Sequence, residues 1–341
     1  MTASKSLRVM AFTGGATVPA ARFRVRQYVP ALASLGVEID ERPAPLGAYP
    51  PRARWLRPAW AGASLLQRLP AVACSHRADV TLLQRELLST LVTLEGWTRR
   101  PRVLDVDDAI HLFRDGRTAE RLARACDLVV CGNNWLAEVY AAWNARVAVL
   151  PTAVDTTALP ATPYPAGNAV IGWIGTSGNL RYLEGIEDAL AAVLDRFPRA
   201  RLAVCADLPP TFHRLPAERV DFVSWSPAVE AGFFADLNVG LMPLTDSPWE
   251  RGKCGFKMLQ YLCAGRPAVV SPIGMNTDVL AHGDVGFAAD STEAWVEALS
   301  TLLADPGRAA AMGRHGRAVI EEHYAVSALA PRLAGLLRGV A

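Results

Sequence analysis

Short, uninterrupted apolar runs alternate along the chain with longer stretches in which apolar residues recur every three or four positions. Short β-branched runs are typical of strands that helices cover on both faces, and the periodic stretches are typical of amphipathic helices. Regular alternation of the two predicts α/β units with parallel strands. The pattern therefore indicates an α/β fold with two doubly wound sheets.

The first half of the chain predicts one of these sheets. Its strands are expected at 8–12, 37–40, 79–83, 102–106, 127–131 and 147–150. Periodicity predicts one helix at 22–35, closed by Gly36, and another around 87–97. The stretch 151–167 contains four prolines and little periodicity, which predicts a linker.

The second half predicts the other sheet. Its strands are expected at 169–174, 201–205, 220–223, 239–242 and 268–270. A helix is expected at 180–197, where Pro198 ends it, and the tail from Arg308 onward is helical. The domain boundaries that follow are 1–160 for the first domain and 166–326 for the second, with a last helix at about 327–341.

The segment GKCGFKMLQYLCAGRPAVVSPIG, at 252–274, is the most informative about function. Apolar residues recur at three-residue steps from Phe256 and predict a helix that Gly265 ends. Lys253 lies just before this helix and Lys257 one turn inside it. Unpaired N–H groups and the helix dipole favour an anion at a helix N-terminus, so two added ammonium groups predict a diphosphate site. A surface helix with two solvated lysines is the simpler alternative.

A second candidate phosphate site is the loop Gly175-Thr-Ser-Gly-Asn179, which joins a buried strand to a helix. Its glycines allow the backbone to approach a ligand closely, and Thr176, Ser177 and Asn179 offer hydrogen bonds to phosphate oxygens. Ser177 or Asn179 could instead simply cap the helix. Loops of a doubly wound sheet meet at its carboxyl edge, so this loop is expected to lie near the lysine-bearing helix.

Acidic residues and a histidine follow the fourth predicted strand, in the sequence LDVDDAIH. Asp105 and Asp107 share one face of the strand, and Asp108 lies beyond its edge. Crowded carboxylates are unfavourable unless they bind a metal, pair with cations or take part in proton transfer. The candidate partners are Arg22, Arg24 and Arg26, which follow the first glycine turn and could supply a purely structural network. A metal site, a structural network and a role of Asp107, Asp108 and His111 in proton transfer all remain open.

Composition is that of a globular protein. The chain has 341 residues, of which 51% are hydrophobic and 20% charged, and its net charge of +2 does not suggest a nucleic-acid partner. The six cysteines form no pattern with zinc-ligand spacing and resemble reduced thiols of a cytoplasmic protein. The N-terminal residues lack the apolar core of a signal peptide, and no apolar run approaches the length of a membrane span.

Charge is uneven in one segment. The stretch 50–77 contains five arginines, no acidic residue, and the tryptophans Trp55 and Trp60. Arginine beside tryptophan is typical of a segment that faces anionic lipid. An ordinary helix with solvated arginines is the alternative, so peripheral contact with an anionic membrane is an expectation that needs a test.

Several motifs run the length of the chain in a defined order: ARFRVRQYVPAL after Gly14-Gly15, LDVDDAI, CGNNWLAEV, LPTAVD, IGWIGTSGNLRYL and GKCGFKMLQYLCAGRPAVVSP. Together they resemble the GT-B glycosyltransferases, in particular the retaining, group 1 type of glycosyltransferase family 4. That family includes glycogen synthases and many bacterial envelope glycosyltransferases. Each motif is only moderately specific, and the resemblance rests on their order and spacing.

The resemblance implies two Rossmann-like domains that face each other across a cleft. The N-terminal domain would hold the acceptor, the C-terminal domain would hold a nucleotide-sugar donor, and the last helix would cross back onto the N-terminal domain. Such enzymes stabilise the leaving diphosphate with basic side chains and helix N-termini and need no metal or cofactor besides the donor. A UDP- or GDP-linked sugar and a glycan or lipid-linked acceptor are the expected substrates, in the cytoplasm or at the inner face of the plasma membrane.

The site residues that follow from the motifs and the resemblance fall into three sets. The catalytic set is Lys253, Lys257, Asp107, Asp108 and His111. The donor-binding set is Gly175, Thr176, Ser177, Asn179, Arg181, Glu250 and Gln260. The acceptor-binding set is Gly14, Gly15, Arg22, Arg24 and Asn133, and no metal ligand is expected.

The chain departs from the family pattern at two places. The family has two glutamates eight positions apart, whereas this chain has Gln260 at the second, ribose-binding position and Gly252 at the first, with Glu250 the nearest acid. The usual Arg and Lys of the first donor-domain loop are also absent. A neutral Gln260 can still accept a hydrogen bond from a ribose hydroxyl, although less strongly than a carboxylate.

The expected reaction is attack of an acceptor hydroxyl on the anomeric carbon of a nucleoside-diphosphate sugar, with retention, in bacterial polysaccharide or glycolipid assembly. Three alternatives stay open. The missing glutamates leave room for a non-catalytic GT-B-like nucleotide-binding protein, and a sugar-nucleotide epimerase would share the architecture. An NAD(P)-dependent oxidoreductase would require a Gly-x-Gly-x-x-Gly motif after the first strand, where this chain has only Gly14-Gly15.

Overall fold

The structure is a computed structural model that describes residues 6–16, 18–47, 49–167 and 169–341. The chain forms two compact units. Unit 1 comprises the chain up to Ala153 together with Arg251–Cys254 and Val326–Ala341, and unit 2 comprises Val154–Glu250 and Gly255–Ala325. Unit 1 is therefore assembled from three separate stretches of sequence.

Unit 1 contains a six-stranded parallel sheet of strand order β2-β1-β3-β4-β5-β6. The strands are β1 (Leu7–Thr13), β2 (Val37–Pro43), β3 (Val80–Gln84), β4 (Arg102–Val106), β5 (Leu128–Cys131) and β6 (Val147–Val149). The helices of this unit are α1 (Pro19–Arg24), α2 (Val29–Ser34), α3 (Arg57–Ser75), α4 (Arg117–Ala125) and α5 (Asn134–Ala141). All six strands lie at or within a few residues of the predicted positions.

Unit 2 contains a second six-stranded parallel sheet, of order β12-β11-β10-β7-β8-β9. Its strands are β7 (Val170–Ile174), β8 (Arg201–Ala206), β9 (Val220–Ser224), β10 (Val239–Met242), β11 (Ala268–Val270) and β12 (Gly286–Ala288). The helices from here to the end of the chain are α6 (Leu180–Glu184), α7 (Glu187–Arg196), α8 (Pro227–Ala235), α9 (Pro248–Arg251), α10 (Phe256–Cys263), α11 (Met275–Leu280), α12 (Thr292–Ala304), α13 (Pro306–Val319) and α14 (Val326–Arg338). β12 is a strand that the sequence pattern did not indicate.

Both faces of the unit 2 sheet are buried, because successive strand residues point to opposite faces. Val269 of β11 belongs to one apolar cluster, whereas its neighbours Ala268 and Val270 belong to the other. This two-sided burial explains why the strands read as continuous apolar runs. It confirms the predicted α/β class and leaves the carboxyl ends of the strands as the place for polar groups.

The C-terminal helix α14 completes the core of unit 1. Its residues Leu329, Leu333 and Leu337 are buried in the same cluster as Val9 of β1 and Val80 of β3. Arg338, at the end of α14, donates a hydrogen bond to the backbone oxygen of Leu35. The helix is therefore an integral layer of unit 1, although almost the whole of unit 2 separates it in sequence from the strands.

The predicted helix around 87–97 is wrong. The structure has only a 3-10 turn there, at Glu95–Trp97, preceded by irregular backbone in which Thr90 has φ of 61°. The carboxylate of buried Glu95 accepts hydrogen bonds from the backbone N–H groups of Leu87, at 2.7 Å, and Thr93. These bonds offer the backbone partners that a helix would otherwise supply, so the side chain stabilises a loop.

Two predicted helices are interrupted. The helix expected at 22–35 consists of α1, a 3-10 turn at Arg26–Tyr28 and α2, and Pro30 lies in the first turn of α2, where its missing N–H is tolerated. The helix expected at 180–197 is divided into α6 and α7 around Gly185. None of the helices in the described part of the chain is long and apolar enough to cross a membrane.

Candidate functional site

The loop after β7 and the helix α10 lie against each other in unit 2. A Cβ placed on Gly175 would lie 2.8 Å from Cε of Lys257 and 2.6 Å from Cη2 of Trp173. Only glycine fits between these two side chains. The structure therefore brings Gly175 and Lys257 together, as the strand-edge argument predicted, and Lys257 projects over the carboxyl end of the sheet.

The start of α10 is shaped by a glycine. Gly255 is the N-cap residue, with φ of 63° and ψ of 15°, a left-handed conformation that favours glycine. Asn276 lies beside it, since its Oδ1 would be 3.3 Å from a Cβ on Gly255. The side chain of Asn276 is buried and donates from Nδ2 to the backbone oxygen of Ser271, whereas its Oδ1 has no hydrogen-bond partner among the described residues. This arrangement leaves the N-terminal turn of α10 without a side-chain cap.

The hydrogen bonds of Ser177 are used inside the protein. Its backbone N–H and its hydroxyl donate to the two carboxylate oxygens of Asp207, at 2.5 and 2.8 Å. These bonds lower the pKa of Asp207, so the carboxylate stays ionised. Asn179 donates from Nδ2 to the hydroxyl oxygen of Thr176 at 3.0 Å. In the structure, Asp207 shapes the loop 175–179 and Thr176 is the exposed hydroxyl at its tip.

Glu250 lies at the centre of a polar cluster. Its buried carboxylate accepts hydrogen bonds from the hydroxyls of Tyr182 and Ser247, and Nη2 of Arg181 lies 3.4 Å from its Oε1. Burial, together with the hydrogen bond to Glu250, raises the pKa of Tyr182. Two residues predicted to bind the donor, Arg181 and Glu250, thus lie side by side, and Tyr182 and Ser247 join them.

Gln260 also has a partner that the sequence analysis did not identify. Its Nε2 donates a hydrogen bond of 2.6 Å to Oε1 of Glu230 on α8. Both side chains are buried. A carboxylate is therefore present next to the position where the family pattern has a glutamate, but it is supplied by another helix.

Lys253 belongs to a different unit from Lys257. The segment 251–254 is part of unit 1, where Nδ2 of Asn133 donates to the backbone oxygens of Arg251, at 3.0 Å, and Lys253, at 3.1 Å. Sγ of Cys254 donates to the backbone oxygen of Asp107 at 3.1 Å. The two lysines are therefore carried by separate units, although they are only four positions apart in sequence.

Close packing fixes this segment. A Cβ on Gly132 would lie 2.2 Å from Sγ of Cys254, and one on Gly252 would lie 2.7 Å from Cβ of Ala109. Glycine at both positions lets the segment approach the ends of β4 and β5. Asn133 is fully engaged, since its Oδ1 also accepts the backbone N–H of Leu136 as the N-cap of α5, at 2.8 Å. Asn133 therefore holds segment 251–254 against the start of α5, and its contact with acceptor stays a prediction.

Each member of the aspartate cluster in unit 1 pairs with an arginine. Asp105 is buried and accepts from Nη2 of Arg24 at 2.5 Å. Burial raises the pKa of Asp105 and the charge of Arg24 opposes that rise. Arg24 also donates to the backbone oxygen of Leu150 at 2.7 Å. Because its guanidinium is buried, Arg24 joins the ends of the strands, and its contact with acceptor stays a prediction.

Asp107 and Asp108 share Arg85, which the sequence analysis did not identify. Nη2 of Arg85 lies 3.0 Å from Asp107 and also donates to Asp108. Burial, and then the neighbouring charge of Asp107, raises the pKa of Asp108. The backbone of Arg85 has φ of 65°. The arginine–aspartate network left open by the sequence is therefore present, with Arg24 and Arg85 as its cations. No group of side chains suited to hold a metal ion occurs among the residues described.

His111 lies in an aromatic environment next to this network. Its ring centre is 5.2 Å from that of Trp135 and 6.2 Å from that of Tyr140. Burial lowers the pKa of His111, so the imidazole is neutral near pH 7. Its Nδ1 is buried and has no hydrogen-bond partner within the described structure. A neutral imidazole of this kind can accept a proton.

The Gly14-Gly15 loop borders a cavity of about 420 Å³ in unit 1, lined by Gly15, Ala16, Val18, Pro19, Ala44, Pro45, Gly47 and Tyr49. Arg26 supports the loop, since it donates to the backbone oxygen of Ala16 at 2.9 Å and pairs with Glu41 at 2.7 Å. The backbone N–H of Gly14 donates to Oε1 of buried Gln84 at 3.4 Å. Arg22 stacks on Phe23, with 4.8 Å between its Cζ and the ring centre. The cavity lies beside Gly15, which the sequence predicts to bind acceptor, and that role stays a prediction.

Sequence comparison identifies the domain that carries the donor-side residues. Residues 169–305, which belong to unit 2 except for the segment 251–254, match the family model described as "Glycosyl transferases group 1". The chain carries a group 1 glycosyltransferase domain. The match includes the Gly175 loop, Glu250, Lys257 and Gln260. Among curated proteins, none matches the chain in sequence.

Solved structures similar to the whole chain are glycosyl-transferring enzymes of the same fold. Sucrose-phosphate synthase from Thermosynechococcus elongatus has a TM-score of 0.72 at 16% identity, covering 98% of this chain and 98% of that chain. Alr3699/HepE from Anabaena, solved with UDP and glucose, has a TM-score of 0.72 at 15% identity, covering 98% of this chain and 100% of that chain. WaaG, a glycosyltransferase involved in lipopolysaccharide biosynthesis, has a TM-score of 0.65 at 13% identity, with coverage of 98% and 100%.

At these identities the structural likeness shows the fold. The two parallel six-stranded sheets with flanking helices are those of a GT-B protein with two Rossmann-like units, and the predicted fold class is confirmed. The group 1 domain confirms the predicted resemblance to the group 1 type of glycosyltransferase.

Proposed function

We propose that this group 1 glycosyltransferase moves a sugar, with retention at the anomeric carbon, from a nucleoside-diphosphate sugar to a hydroxyl acceptor. The observation that carries the proposal is the placement of Lys257 against the Gly175 loop at the carboxyl edge of the unit 2 sheet. Glycine lets the backbone of the loop approach a phosphate, and the lysine supplies a positive charge at the same strand end.

The donor diphosphate binds unit 2. Negative charge grows on the departing β-phosphate in the transition state, so a positioned cation stabilises the transition state more than the ground state. Lys257 supplies that charge and Thr176 donates a hydrogen bond from its hydroxyl. Ser177 and Asn179 act indirectly, because their hydrogen bonds shape the loop. Glu250, with Arg181 beside it, accepts from a sugar hydroxyl, and no metal or further cofactor takes part.

The acceptor binds unit 1. The cavity beside Gly15 receives part of the acceptor, and Arg22 lies on the helix that follows. Asp107, Asp108 and His111 orient the attacking hydroxyl and can take its proton, since burial keeps His111 neutral and raises the pKa of Asp108. Lys253 is held by Asn133 within the same unit and adds a positive charge that offsets the effect of burial on Asp108.

UDP is the nucleotide to test first, followed by GDP. Similar folds include Alr3699/HepE in complex with UDP-glucose and a trehalose-6-phosphate protein from E. coli bound with UDP-2-fluoro glucose. The ligands of those proteins support a nucleoside-diphosphate sugar as the donor here. A pathway role in bacterial polysaccharide or glycolipid assembly is proposed by analogy with WaaG.

A lipid-linked acceptor would fit an exposed surface of unit 1. Trp55 is 79% exposed and Leu66 is 67% exposed, and Arg52, Arg54 and Arg57, which are close to Trp55 in sequence, are exposed as well. Arg68 does not belong to it, because its buried guanidinium donates to the backbone oxygens of Thr13 and Arg42, each at 2.7 Å. An exposed tryptophan with three arginines suits the interface of an anionic membrane on the cytoplasmic side.

Thermal unfolding with UDP, GDP, CDP, ADP and NAD, each at millimolar concentration without metal, tests the donor site. Ligand at a hundredfold over Kd adds about 2.7 kcal/mol of stability, so one nucleoside diphosphate should raise Tm by several degrees. The sugar is then identified by transfer to, or hydrolysis of, candidate donors of that nucleotide. Stabilisation by NAD alone, or by no diphosphate, contradicts the proposal.

Membrane contact has its own test. The protein should sediment at low salt with vesicles that contain anionic lipid and remain in the supernatant with neutral vesicles, because arginine binding to anionic lipid is electrostatic. Trp55→Ala should weaken sedimentation, and Trp225→Ala, which removes an exposed tryptophan of unit 2, should not. Equal sedimentation of both variants with wild type would exclude this surface.

A further inference from the structure

Glu230 is a buried carboxylate that the sequence pattern did not assign to any role. Its Oε1 accepts a hydrogen bond of 2.6 Å from Nε2 of Gln260, and both residues are at least nine-tenths buried. Burial of a charged or strongly polar group costs free energy unless the group is paired. An apolar residue would be buried at a lower cost in free energy on this face of α8, where Phe233 and Phe234 also lie in the core.

The pair lies at the carboxyl edge of the unit 2 sheet, next to the candidate phosphate loop. Glu230 acts electrostatically on Cys205 near the end of β8: burial, and then the charge of Glu230, raises the pKa of that thiol to about 11. The backbone oxygen of Cys205 accepts a hydrogen bond of 3.0 Å from the backbone N–H of Gly175. Lys257 lies three positions before Gln260 on α10, and its Cε is 2.8 Å from a Cβ placed on Gly175, so the pair lies about one helical turn from the Gly175 loop.

The hydrogen bond determines which way the amide of Gln260 faces. An amide has a donor end, Nε2, and an acceptor end, Oε1. The reversed orientation would place Oε1 against a carboxylate oxygen, and two acceptors repel each other. Nε2 of Gln260 is therefore occupied by its hydrogen bond to Glu230, and Oε1 is the end of the amide that can accept a hydrogen bond from a ligand. A charge-assisted bond of this kind is about twice as strong as a neutral one, so the orientation is firmly held.

We propose that Glu230 is a positioning residue for the nucleotide donor: it orients Gln260 so that the amide oxygen accepts a hydrogen bond from a ribose hydroxyl. A ribose hydroxyl donates to an acceptor, and glutamate is an acceptor in every orientation. Gln260 becomes an equally defined acceptor only with Glu230 beside it. The inference rests on the proposed function, because it requires that unit 2 binds a nucleoside diphosphate.

The test compares a nucleoside diphosphate with its 2′,3′-dideoxy analogue. UDP and 2′,3′-dideoxy-UDP, or the corresponding pair for whichever base stabilises the protein, are titrated calorimetrically into wild type, Glu230→Gln, Glu230→Leu and Gln260→Glu. Wild type should prefer the ribonucleotide by at least about tenfold, the worth of a well-placed hydrogen bond. Glu230→Gln keeps the shape of the side chain but allows either orientation of the Gln260 amide. The two nucleotides should then bind with affinities that differ by no more than about threefold. Glu230→Leu should abolish the preference for the ribonucleotide.

The exchanged pair Glu230→Gln/Gln260→Glu is the decisive variant. A carboxylate at 260 beside an amide at 230 restores a defined acceptor, so the ribonucleotide preference should return to within about threefold of wild type. Gln260→Glu alone places two carboxylates together and should weaken both binding and thermal stability. Glu218→Gln, which neutralises an exposed glutamate of the same unit, is the matched control and should leave the preference unchanged. Tm and circular dichroism establish that each variant is folded.

The possible failures are distinguishable. If wild type binds no nucleoside diphosphate, the proposed function and this inference both fail. If wild type binds the ribonucleotide and the dideoxy analogue equally, the donor site stands, but Gln260 does not contact ribose and the inference is overturned. If wild type prefers the ribonucleotide and the folded variants Glu230→Gln and Glu230→Leu prefer it equally, Gln260 contacts the ribose without help from Glu230. In that case the donor site stands and only the positioning role of Glu230 is overturned.

Discussion

The ammonium group of Lys257 lies 5.5 Å from the centre of the Trp173 ring. Trp173 is a buried residue of β7, so this cation–π contact connects the core of unit 2 to the charge at its carboxyl edge. Gly175 makes the contact possible, because any side chain there would occupy the space between lysine and tryptophan. The position of the positive charge is thus set by packing beneath it.

Removal of this charge should reduce turnover. Lys257→Met keeps an aliphatic stem against Trp173 and Gly175 but removes the ammonium group, and it should lower kcat by at least about tenfold, less than the loss of one oxyanion donor. The measurement is steady-state transfer from the donor found in the nucleotide screen. Lys257→Arg, which keeps the charge, should retain more activity. Unchanged turnover in a folded Lys257→Met protein would exclude Lys257 from transition-state stabilisation.

Two glycines of one loop should respond differently to the same substitution. Gly175→Ala introduces a Cβ at 2.6 Å from Trp173 and 2.8 Å from Lys257, and should displace the lysine, with a fall in nucleotide affinity and about 1–3 kcal/mol of lost stability. Gly178→Ala is the matched control, because a Cβ there meets no atom within 4 Å. Thermal unfolding with and without nucleotide distinguishes the two, and equal behaviour would contradict the packing argument.

The docking of segment 251–254 can be tested through Asn133. Asn133→Asp keeps the oxygen that caps α5 but replaces the donor to the backbone oxygens of Arg251 and Lys253, and should cost about 1–3 kcal/mol. Asn144 makes the same pattern of bonds elsewhere in unit 1, to the backbone oxygens of Ala123 and Cys126.

Asn144→Asp is therefore a control for stability loss alone. Both variants should lower Tm to a similar degree, but only Asn133→Asp should also reduce kcat, since only that substitution displaces the backbone of Lys253. A similar kcat in the two variants would show that the position of Lys253 does not matter for the reaction.

Loss of one partner of the buried pair Arg24–Asp105 should destabilise the protein strongly, whereas replacement of both partners by apolar residues should destabilise it much less. Arg24→Met leaves an unpaired buried carboxylate and should cost about 3–5 kcal/mol, whereas Arg24→Met/Asp105→Leu should recover a large part of that loss. Thermal unfolding measures both. If the double variant is no more stable than the single one, the hydrogen bond of Arg24 to the backbone oxygen of Leu150 outweighs the ion pair.

His111 should make stability depend on pH in a defined direction. Burial lowers its pKa below the ordinary value of about 6.5, so the unfolded chain binds a proton more readily than the folded protein does. Its contribution to stability is complete above about pH 6.5 and is lost as the pH falls through the folded pKa.

The stability of His111→Phe, which keeps an aromatic ring among Trp135, Tyr140 and Trp143, should therefore fall less steeply than that of wild type between pH 7 and pH 5. Exposed His213→Phe is the control and should follow wild type. Identical pH profiles for His111→Phe and wild type would show that His111 titrates normally.

The strands and the meeting of Gly175 with Lys257 were predictable from the sequence. Buried parallel strands produce continuous apolar runs, and the rule that loops meet at the carboxyl edge places residues 82 positions apart next to each other. The helix around 87–97 was not predictable from periodicity, because one side chain, that of Glu95, supplies the hydrogen bonds that decide the backbone there.

The side chains that pair with the candidate site residues could not be predicted from the sequence. Arg85 holds Asp107 and Asp108, Asp207 holds Ser177, and Glu230 holds Gln260, and each pair joins residues that are at least 22 positions apart. Registry between strands and the rotation of helices determine these contacts, and no motif in a single sequence encodes them. The unit to which Lys253 belongs could not be predicted either, since only tertiary packing shows that its segment is part of unit 1.

Construction of unit 1 from three stretches of the chain has a consequence for synthesis on the ribosome. The leucines of α14 complete a core whose strands all lie before residue 150, so that core stays open until α14 has been translated. Unit 2, by contrast, has nearly all of its sequence when residue 325 emerges. Unit 2 can therefore fold first, and the N-terminal sheet exposes part of its apolar surface until α14 packs on it.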